Sequence, residues 1–228
     1  MIPVLGVPTV GEQELLDQML RSVNHPVGDL VVVDNSRAGV TVPELDNVER
    51  TWHLHMPSNF GVAGSWNLII KSTPFAPWWL IVNCDVVFAP DAASKVVDRM
   101  DGWSGILVRP RPFAPWGAFA MSEATVAEFG LFDEYYHPIY YEDTDYMQRA
   151  QRAGHPVVFD LYGIPDVSPG GSLAFRRPEV TKQQHSRLNA TANANRQFFA
   201  EQWAGGDPKP KRGWDLSRRR ELSVDDAT

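Results

Sequence analysis

The chain has 228 residues, of which 43% are hydrophobic and 21% charged, a composition typical of a globular protein with a sizeable core. A net charge of -7 argues against a general nucleic-acid binder, because such proteins need a basic face. A single cysteine, Cys84, excludes an internal disulfide framework and is compatible with a reducing cytosol.

Strands and helices alternate along the predicted chain. The N-terminus lacks a basic region and a long apolar run, so it predicts no signal peptide, and no stretch approaches the roughly 20 apolar residues of a membrane helix. We therefore expect a cytoplasmic protein. In chain order the pattern predicts a strand at 2–7, a helix at 12–23, strands at 29–34 and 51–55, a helix at 62–71, a strand at 78–83, a helix at 91–100, strands at 105–108 and 118–121, a helix at 123–129, a helix at 144–153, a strand at 156–160 and a helix over most of 178–203.

This alternation predicts an α/β fold with a mostly parallel sheet that is covered by helices on both faces. In such sheets, ligands bind beyond the carboxyl ends of the strands. Thr9, Asp34 and Asp85 each fall at or just past the carboxyl end of a predicted strand. We expect these side chains to gather at one edge of the sheet, although they are far apart in sequence.

The segment VVVDNS, residues 31–36, ends the second strand with a carboxylate. Asp34 is suited to accept hydrogen bonds from the NH or OH groups of a nucleotide base or ribose. Asp, Asn and Ser are also the residues that any turn prefers, and the segment taken alone favours that simpler interpretation.

The segment NFGVAGSWNLI, residues 59–69, is a glycine-rich loop that leads into a helix. Close packing explains Gly61 and its small neighbours, since small residues let backbones approach each other. Packing explains Asn59 and Asn67 less well, and these amides indicate a loop pinned by hydrogen bonds beside a ligand. The segment alone leaves the two interpretations equal.

The segment VNCDVVF, residues 82–88, places Asn83 and Asp85 at the exit of an apolar strand, on one face by alternation. Carboxylate and amide oxygens suit hard cations such as Mg²⁺ or Mn²⁺, which also keep substrate phosphates as ligands. The alternative is an aspartate that begins a turn after the strand. The metal interpretation is favoured.

The stretch YYEDTDYMQR, residues 140–149, holds three carboxylates within four positions. A helix that begins near Thr144 puts Asp143 at or near its N-cap, where one acid stabilises a helix by roughly 0.5–2 kcal/mol. Asp145 can serve the first turn, so Glu142 is in excess of what the helix needs. A carboxylate held by a helix N-terminus stays ionised at neutral pH and is suited to act as a general base. The aromatic run before it offers a platform for a sugar ring.

Taken in order, these segments resemble the motifs of the family 2 glycosyltransferases of the GT-A fold, close to the rhamnosyltransferase-like branch. VVVDNS looks like the family's VVDNxS turn, NFGVAGSWN like its NxGxAxAxN segment, and VNCDVVF stands where the family has an acidic DxD metal motif. GLFDEYYHPIYYEDTDYMQRAQRAGHPVV, residues 130–158, looks like the GxFDExF…EDxDxxxRxxxxGxxVx block, and NRQFFAEQWAGG, residues 195–206, resembles the closing helix. We expect a single GT-A domain at 1–206 and a polar, flexible tail at 207–228.

The resemblance implies a nucleotide-diphosphate sugar donor, a divalent metal and an inverting displacement at the anomeric carbon. By position, Asp34 would contact the nucleoside, Asp85 would bind Mn²⁺ or Mg²⁺ at the diphosphate, and Asp143 would be the general base. Glu142 and Asp145 would shape its field or hold the acceptor, and Arg149 is expected to pair with an acid of this cluster. The remaining candidates are Pro8, Thr9, Asn59, Gly61, Asn67 and Asn83 for the donor, and Trp116, Tyr140 and Tyr141 for the acceptor.

Two departures from the family pattern concern the metal. The first acid of the metal motif is replaced by the amide of Asn83, so metal affinity is expected to be lower. The family often adds a late histidine ligand, whereas GIPDVSPGGS, residues 163–172, offers Asp166 and no histidine. His185 is the only later histidine, and it is a metal-ligand candidate beside the ordinary surface role that such a residue usually has.

Two other function classes compete with a glycosyltransferase. A sugar nucleotidyltransferase needs a basic, glycine-rich loop after the first strand to hold a triphosphate, and GVPTVGEQE, residues 6–14, contains no lysine or arginine. A binding module for nucleotide sugars or glycans is supported by Asn83 and opposed by the intact acid cluster. The acceptor stays open between a saccharide, a protein and a modified nucleic-acid base, because a fold does not settle it.

Overall fold

Seven strands and six α-helices make up the described chain, which comprises residues 1–110, 114–167 and 182–204 of this computed structural model, without the side chains of 182–185. The strands are β1 (Ile2–Thr9), β2 (Val27–Asp34), β3 (Val48–His55), β4 (Trp78–Val82), β5 (Ile106–Val108), β6 (Ala118–Ser122) and β7 (Val157–Val158). The helices are α1 (Gln13–Ser22), α2 (Gly61–Ser72), α3 (Ala92–Met100), α4 (Glu123–Phe129), α5 (Glu142–Arg152) and α6 (Lys182–Ala204). Two short 3-10 helices lie at Pro115–Gly117 and Glu134–Tyr136.

The strands form one sheet in the order β3-β2-β1-β4-β6-β5-β7. Strands β3, β2, β1 and β4 run parallel, β6 runs antiparallel to both of its neighbours, and β5 and β7 are parallel. The expected mostly parallel sheet is therefore confirmed. Only Val157 and Val158 of the strand predicted at 156–160 join the sheet, because the exposed Phe159 follows and the Leu161 N–H already bonds to the Val108 carbonyl.

The core has two layers, one on each face of the sheet. Alternate residues of β4 belong to different layers: Trp78, Leu80 and Val82 pack with α1 and α3, whereas Trp79 and Ile81 pack with α2, α4 and α5. This is the alternation that a strand buried on both faces requires. Each large apolar side chain that is fully buried contributes roughly 1.5–3 kcal/mol relative to an exposed one.

The helix starts agree with the sequence at one place and differ at two. The sequence predicts Ser122 and Asp91 as N-caps of the helices that follow them, and Ser122 does cap α4, because its hydroxyl accepts a hydrogen bond from the Thr125 N–H. Asp91 precedes α3 but forms no capping bond, since its carboxylate pairs with Lys95 instead. Helix α5 begins at Glu142 rather than near Thr144, so Tyr141 is the N-cap and Asp143 lies near it, in the first turn of the helix.

Candidate functional site

The carboxyl ends of the central strands form one edge of the sheet. Thr9 pairs with Asp34, Asp34 pairs with His55, and β4 ends at Val82, next to the same edge. Asp85 follows three residues later. The structure thus brings together the three strand ends that the sequence pointed to, and a ligand bound there would meet loops from all of them.

Asp34 lies fully buried at this edge and holds the loop that follows it. Its Oδ1 accepts a hydrogen bond from the Ser36 N–H at 2.9 Å, and its Oδ2 accepts one from the Val40 N–H at 2.8 Å. His53 Nε2 lies 3.4 Å from Oδ2. Burial raises the pKa of Asp34, but the hydrogen bonds from Ser36, Val40 and His53 outweigh burial and lower its pKa overall. Asp34 is therefore an ionised anchor for residues 35–40.

Two asparagines hold the loop before α2, and one of them, Asn35, joins it to the segment that Asp34 anchors. Asn35 donates from Nδ2 to Ser65 Oγ at 2.9 Å and accepts the Phe60 N–H at 2.9 Å. Asn59 accepts the Gly61 N–H at 2.8 Å. Gly61 has φ +72, and a side chain there would press on the Pro138 carbonyl, which accepts the Val62 N–H at 2.8 Å. The residue must be glycine because backbone from the later half of the chain lies against it.

Asn67 is buried inside α2 and holds a distant loop. Its Nδ2 donates to the Phe132 carbonyl at 3.0 Å and to Glu134 Oε1 at 2.8 Å, and its Oδ1 accepts the Phe132 N–H at 2.9 Å. This amide thus makes hydrogen bonds to the backbone of the loop that leads into the acidic stretch. In the structure Asn67 therefore supports this loop, and its predicted contact with the nucleotide-sugar donor stays a prediction.

Asn83 and Asp85 are both half-buried beyond the end of β4. The Asn83 N–H donates to the Gly117 carbonyl at 2.8 Å, and the Asp85 carbonyl accepts the Val167 N–H at 2.7 Å. Burial raises the pKa of Asp85, the charge of Asp166 raises it further, and Arg109 partly offsets both. Two acids therefore lie close enough to repel each other at this position.

Arg109 is a buried residue of the site that the sequence did not reveal. It is 1% exposed, and its Nη1 donates to Asp166 Oδ1 at 2.7 Å and to the Ile164 carbonyl at 3.0 Å. Its Nε and Nη2 donate to the Ala114 carbonyl at 3.1 and 2.7 Å. A Cβ at Gly117 would overlap the guanidinium, so Gly117 leaves the space that Arg109 fills. The arginine, which follows β5, therefore ties two loops together, the one at Ala114 and the one at Ile164 and Asp166.

The three acids of α5 have different surroundings. Asp145 is buried and bonds to Arg149 Nε at 2.9 Å and to Trp203 Nε1 at 3.1 Å, which confirms that Arg149 pairs with this cluster. Asp143 is half-buried, and its Oδ1 accepts the Thr144 N–H at 2.6 Å. Glu142 is 4% exposed, and its Oε2 has no hydrogen-bond partner among the described residues.

These surroundings shift the pKa values of Glu142 and Asp143. Burial raises the pKa of Glu142 to about 8, with a further contribution from the negative charge of Asp143, so Glu142 is mostly protonated at neutral pH. Burial also raises the pKa of Asp143, while the hydrogen bonds from Thr144 act in the opposite direction. Asp143 is thus the acid of this stretch that is both partly accessible and not committed to a salt bridge.

The acceptor candidates occupy two kinds of position. Trp116 is 5% exposed and packs with Trp66 and Tyr146, at ring distances of 6.2 Å each, so it belongs to the core. Tyr140 and Tyr141 are half-buried directly before α5. Of the other candidates, Pro8 is half-buried in β1, and His185 lies in α6 with its side chain outside the described part.

The architecture matches that of known enzymes. A mannosyltransferase of Pyrobaculum calidifontis, in complex with GDP-Man and Mn²⁺, superposes with a TM-score of 0.57 at 14% identity, covering 91% of this chain and 77% of that chain. The chain has the GT-A fold. TarS 1-349 of S. aureus with UDP-GlcNAc superposes with a TM-score of 0.56 at 13% identity, covering 100% of this chain and 78% of that chain. Against the longer TarS structure the GT-A chain spans 46% of the length.

Other comparisons and searches of this GT-A chain gave negative findings. No family model matches the sequence, and no curated protein matches it. Within the described ranges, no three His, Cys, Asp or Glu side chains form a group that could hold a metal ion. None of the helices described at 1–110, 114–167 and 182–204 has both the length and the apolar character needed to span a bilayer.

Proposed function

We propose that the protein is an inverting glycosyltransferase, of family 2 and its rhamnosyltransferase-like branch, that moves a hexose from a nucleotide-diphosphate donor to an acceptor hydroxyl. One observation carries the proposal: contacts link the strand-end edge to the acidic stretch. His137 Nε2 lies 3.0 Å from the Asn59 carbonyl, and Trp116, next to the Gly117 that binds Asn83, packs against Tyr146 of α5. Donor and acceptor chemistry would therefore take place side by side, because the Asn59 loop and the loop before α5 are in direct contact.

The donor half of the proposal rests on the loops at the ends of β1, β2 and β4. Thr9 and the loop held by Asp34 would meet the nucleoside, because this loop caps the sheet edge where nucleotides bind in such folds. Asp34 itself is buried, so its contribution to donor binding is to keep this loop in place. Asn59 and Gly61 would line the same rim.

A divalent metal fits the residues beyond β4. Burial and the negative charge of Asp166 raise the pKa of Asp85. A cation bound between two such acids would remove their repulsion. Mn²⁺ and Mg²⁺ accept one or two carboxylates when substrate phosphates supply further ligands, so Asp85, with Asp166 and Asn83, would hold the cation together with the diphosphate of the donor. The metal would neutralise the charge of the departing nucleoside diphosphate.

Asp143 is the proposed general base. It takes the proton of the acceptor hydroxyl as that oxygen bonds to the anomeric carbon, and the bond to the diphosphate breaks on the opposite side, which inverts the configuration. Burial raises the pKa of Asp143 above its ordinary value, and a carboxylate with a raised pKa accepts a proton more readily than an ordinary one. The neutral Glu142 beside it adds no competing charge and leaves a carboxyl group for a hydrogen bond.

A second candidate is a module that binds nucleotide sugars or glycans without turnover. Asn83 in place of an acid favours it, because it removes one anionic metal ligand. Hydrolysis of the donor by water separates the two candidates, since only the enzyme releases nucleoside diphosphate. The free, buried Cys84 agrees with a reducing compartment, and we propose a cytoplasmic location.

Thermal unfolding with a panel of nucleoside diphosphates, with and without Mn²⁺, tests the proposal. A ligand at 100 times its Kd adds about 2.7 kcal/mol of stability, which raises the Tm of a chain of this size by roughly 5–10 °C. We expect one nucleotide to stabilise only with metal, and Asp85→Ala to abolish that effect. If no nucleotide stabilises the protein at millimolar concentration, the proposal fails. Release of nucleoside diphosphate from the matching sugar nucleotide then distinguishes the enzyme from the binding module.

A further inference from the structure

The backbone directly before the acidic helix is held in an unfavourable conformation. Tyr140 and Tyr141 both have φ 78, in the left-handed region that residues with a side chain rarely adopt. Tyr141 is the residue that precedes α5, so the orientation of this peptide decides where Glu142 and Asp143 point. Two consecutive residues in this conformation need an external restraint to persist.

Asn195 in α6 provides that restraint. Its side chain is 6% exposed, and its Nδ2 donates to three carbonyls of the strained loop: Tyr136 at 3.2 Å, Ile139 at 2.9 Å and Tyr140 at 3.0 Å. The two hydrogens of one amide group are thus shared among three acceptors from residues more than 50 positions earlier in the chain. The donor hydrogens of the amide, rather than its shape, make these contacts.

Aromatic contacts place Asn195 over this loop. The Phe198 ring stacks on Tyr135 at 3.9 Å and Phe199 lies 5.6 Å from Tyr141, both on the loop side of α6. These contacts dock the helix but set no backbone torsion. Asn195, by contrast, makes a polar contact with the carbonyl of Tyr140 itself.

We propose that Asn195 is a positioning residue for the transfer reaction, which fixes the left-handed Tyr140–Tyr141 backbone so that Asp143 meets the acceptor hydroxyl. The inference rests on the proposed function, because it assigns Asn195 an effect on the base of that reaction. Asn195 touches neither the base nor the reacting atoms. It acts through the peptide that begins α5.

A purely structural role is the competing explanation. If Asn195 only docks α6, its loss weakens the fold and changes binding and turnover together. If it positions the base, its loss lowers kcat far more than it changes the KM for the donor, because the carbonyls that Asn195 binds belong to the loop before α5. The two explanations also differ in the amides of residues 139–145, which loosen locally only in the second case.

The experiment compares Asn195→Asp with Asn193→Ala in the full chain. The first keeps the size and shape of the side chain and replaces the amide donors by a carboxylate that repels the three carbonyls, and the second alters an exposed asparagine of the same helix. Hydrogen–deuterium exchange is followed at residues 139–145, where the Asp145 N–H bonds to the Tyr141 carbonyl at 2.9 Å. Release of nucleoside diphosphate from UDP-GlcNAc and GDP-mannose with Mn²⁺ supplies kcat and KM, and the Tm reports the fold.

We expect Asn195→Asp to speed exchange in this segment about tenfold or more, and to lower kcat roughly 10- to 100-fold with the KM for the donor within about twofold. Asn193→Ala should match the wild type in all three. Unchanged exchange, or unchanged kcat, overturns the inference while the proposed function stands. If Asn195→Asp lowers the Tm by more than a few degrees, the same measurements are made on Asn195→Ser, and a parallel loss of donor binding overturns the inference. A wild type that hydrolyses neither donor, and that no nucleoside diphosphate of the panel stabilises with Mn²⁺, contradicts the proposed function, whatever the exchange data show.

Discussion

Asp145 and Arg149 lie one turn apart in α5, and Arg149 Nε meets Asp145 Oδ2 at 2.9 Å. The arginine also donates to the Phe129 and Leu131 carbonyls at 2.9 and 3.3 Å, so it joins α5 to the preceding loop. With Trp203 on its other oxygen, Asp145 has both carboxylate oxygens occupied. The stretch of three acids therefore contains one structural acid, one neutral acid and one candidate base.

Replacing Arg149 by methionine should leave Asp145 buried without its counter-charge. We expect Arg149→Met to reduce the free energy of unfolding by roughly 3 kcal/mol, because breaking one side of a buried ion pair strands the other charge. Urea unfolding at pH 7 measures the change. Arg187→Met on the exposed face of α6 is the matched control, and a loss no larger than that of the control would contradict the structural role of the pair.

Asp143 gives a second prediction, which concerns turnover rather than stability. Asp143→Asn removes the proposed proton acceptor and keeps the hydrogen bond to the Thr144 N–H. We expect transfer and donor hydrolysis to fall by about 10²–10⁴-fold, the usual contribution of a general base, with metal-dependent nucleotide binding unchanged. Steady-state kinetics and thermal shift with the nucleoside diphosphate measure the two effects. Asp98→Asn, an exposed substitution on α3, should leave both unchanged. Full activity of Asp143→Asn would transfer the role to another group.

The sequence predicted the sheet well because apolar periodicity is a local signal. The apolar runs that form β1, β2 and β4 are buried on both faces of the sheet. The spacing of Leu16, Met19 and Leu20 predicts which side of α1 packs against the sheet. Ser122 was predicted as a cap for the same reason, since its effect reaches only three residues. The gathering of Thr9, Asp34 and Asp85 followed from strand direction alone.

Long-range contacts were beyond reach from the sequence. Nothing in a pair of tyrosines predicts left-handed backbone, so the start of α5 was placed two residues late and Asp143 was taken for a cap. Arg109 follows a strand and has the pattern of a surface residue until the fold encloses it. Its one available sign was Gly117, whose missing side chain makes room for the guanidinium, and that relation becomes visible only in three dimensions.

Glu142 gives a prediction about pH. Its pKa rises from an ordinary value of 4.5 to about 8 in the folded protein, so the folded state holds a proton that the unfolded state releases between these pH values. The stability that the neutral Glu142 contributes to the wild-type protein is therefore fully present below pH 4.5, and it is lost as the pH rises through 8. Glu142→Gln stays neutral and should exceed the wild type by a few kcal/mol at pH 8, with the difference vanishing near pH 4.5.

Urea unfolding of Glu142→Gln and wild type at several pH values measures that difference. Glu128→Gln is a suitable control, because its carboxylate is half exposed and pairs with His155 at the surface. A constant offset between Glu142→Gln and wild type at all pH values would mean that Glu142 is ionised in the folded protein. The assignment of Glu142 as a neutral neighbour of Asp143 would then be incorrect.

Gly117 provides the last prediction, because it tests Arg109 without removing it. Gly117→Ala places a methyl group against the guanidinium, which must shift away from Asp166 and the Ala114 carbonyl. We expect a loss of roughly 1–3 kcal/mol in unfolding free energy from overpacking. Nucleotide stabilisation by Mn²⁺ should weaken as well, since Asp166 loses the donor that holds it beside Asp85.

The matched control for this prediction is Gly64→Ala in α2, where an added Cβ would meet only the Phe60 side chain at 3.4 Å and 3.8 Å. Urea unfolding of both variants gives the stability change, and thermal shift with nucleoside diphosphate with and without Mn²⁺ gives the metal-dependent part. If Gly117→Ala loses stability but keeps the full metal-dependent shift, Arg109 supports the fold alone and Asp166 takes no part in holding the cation. If stability and the metal-dependent shift fall together, Arg109 positions Asp166 as the second acid of the metal site. The Asp166 carboxylate then supplies the anionic ligand that Asn83 lacks.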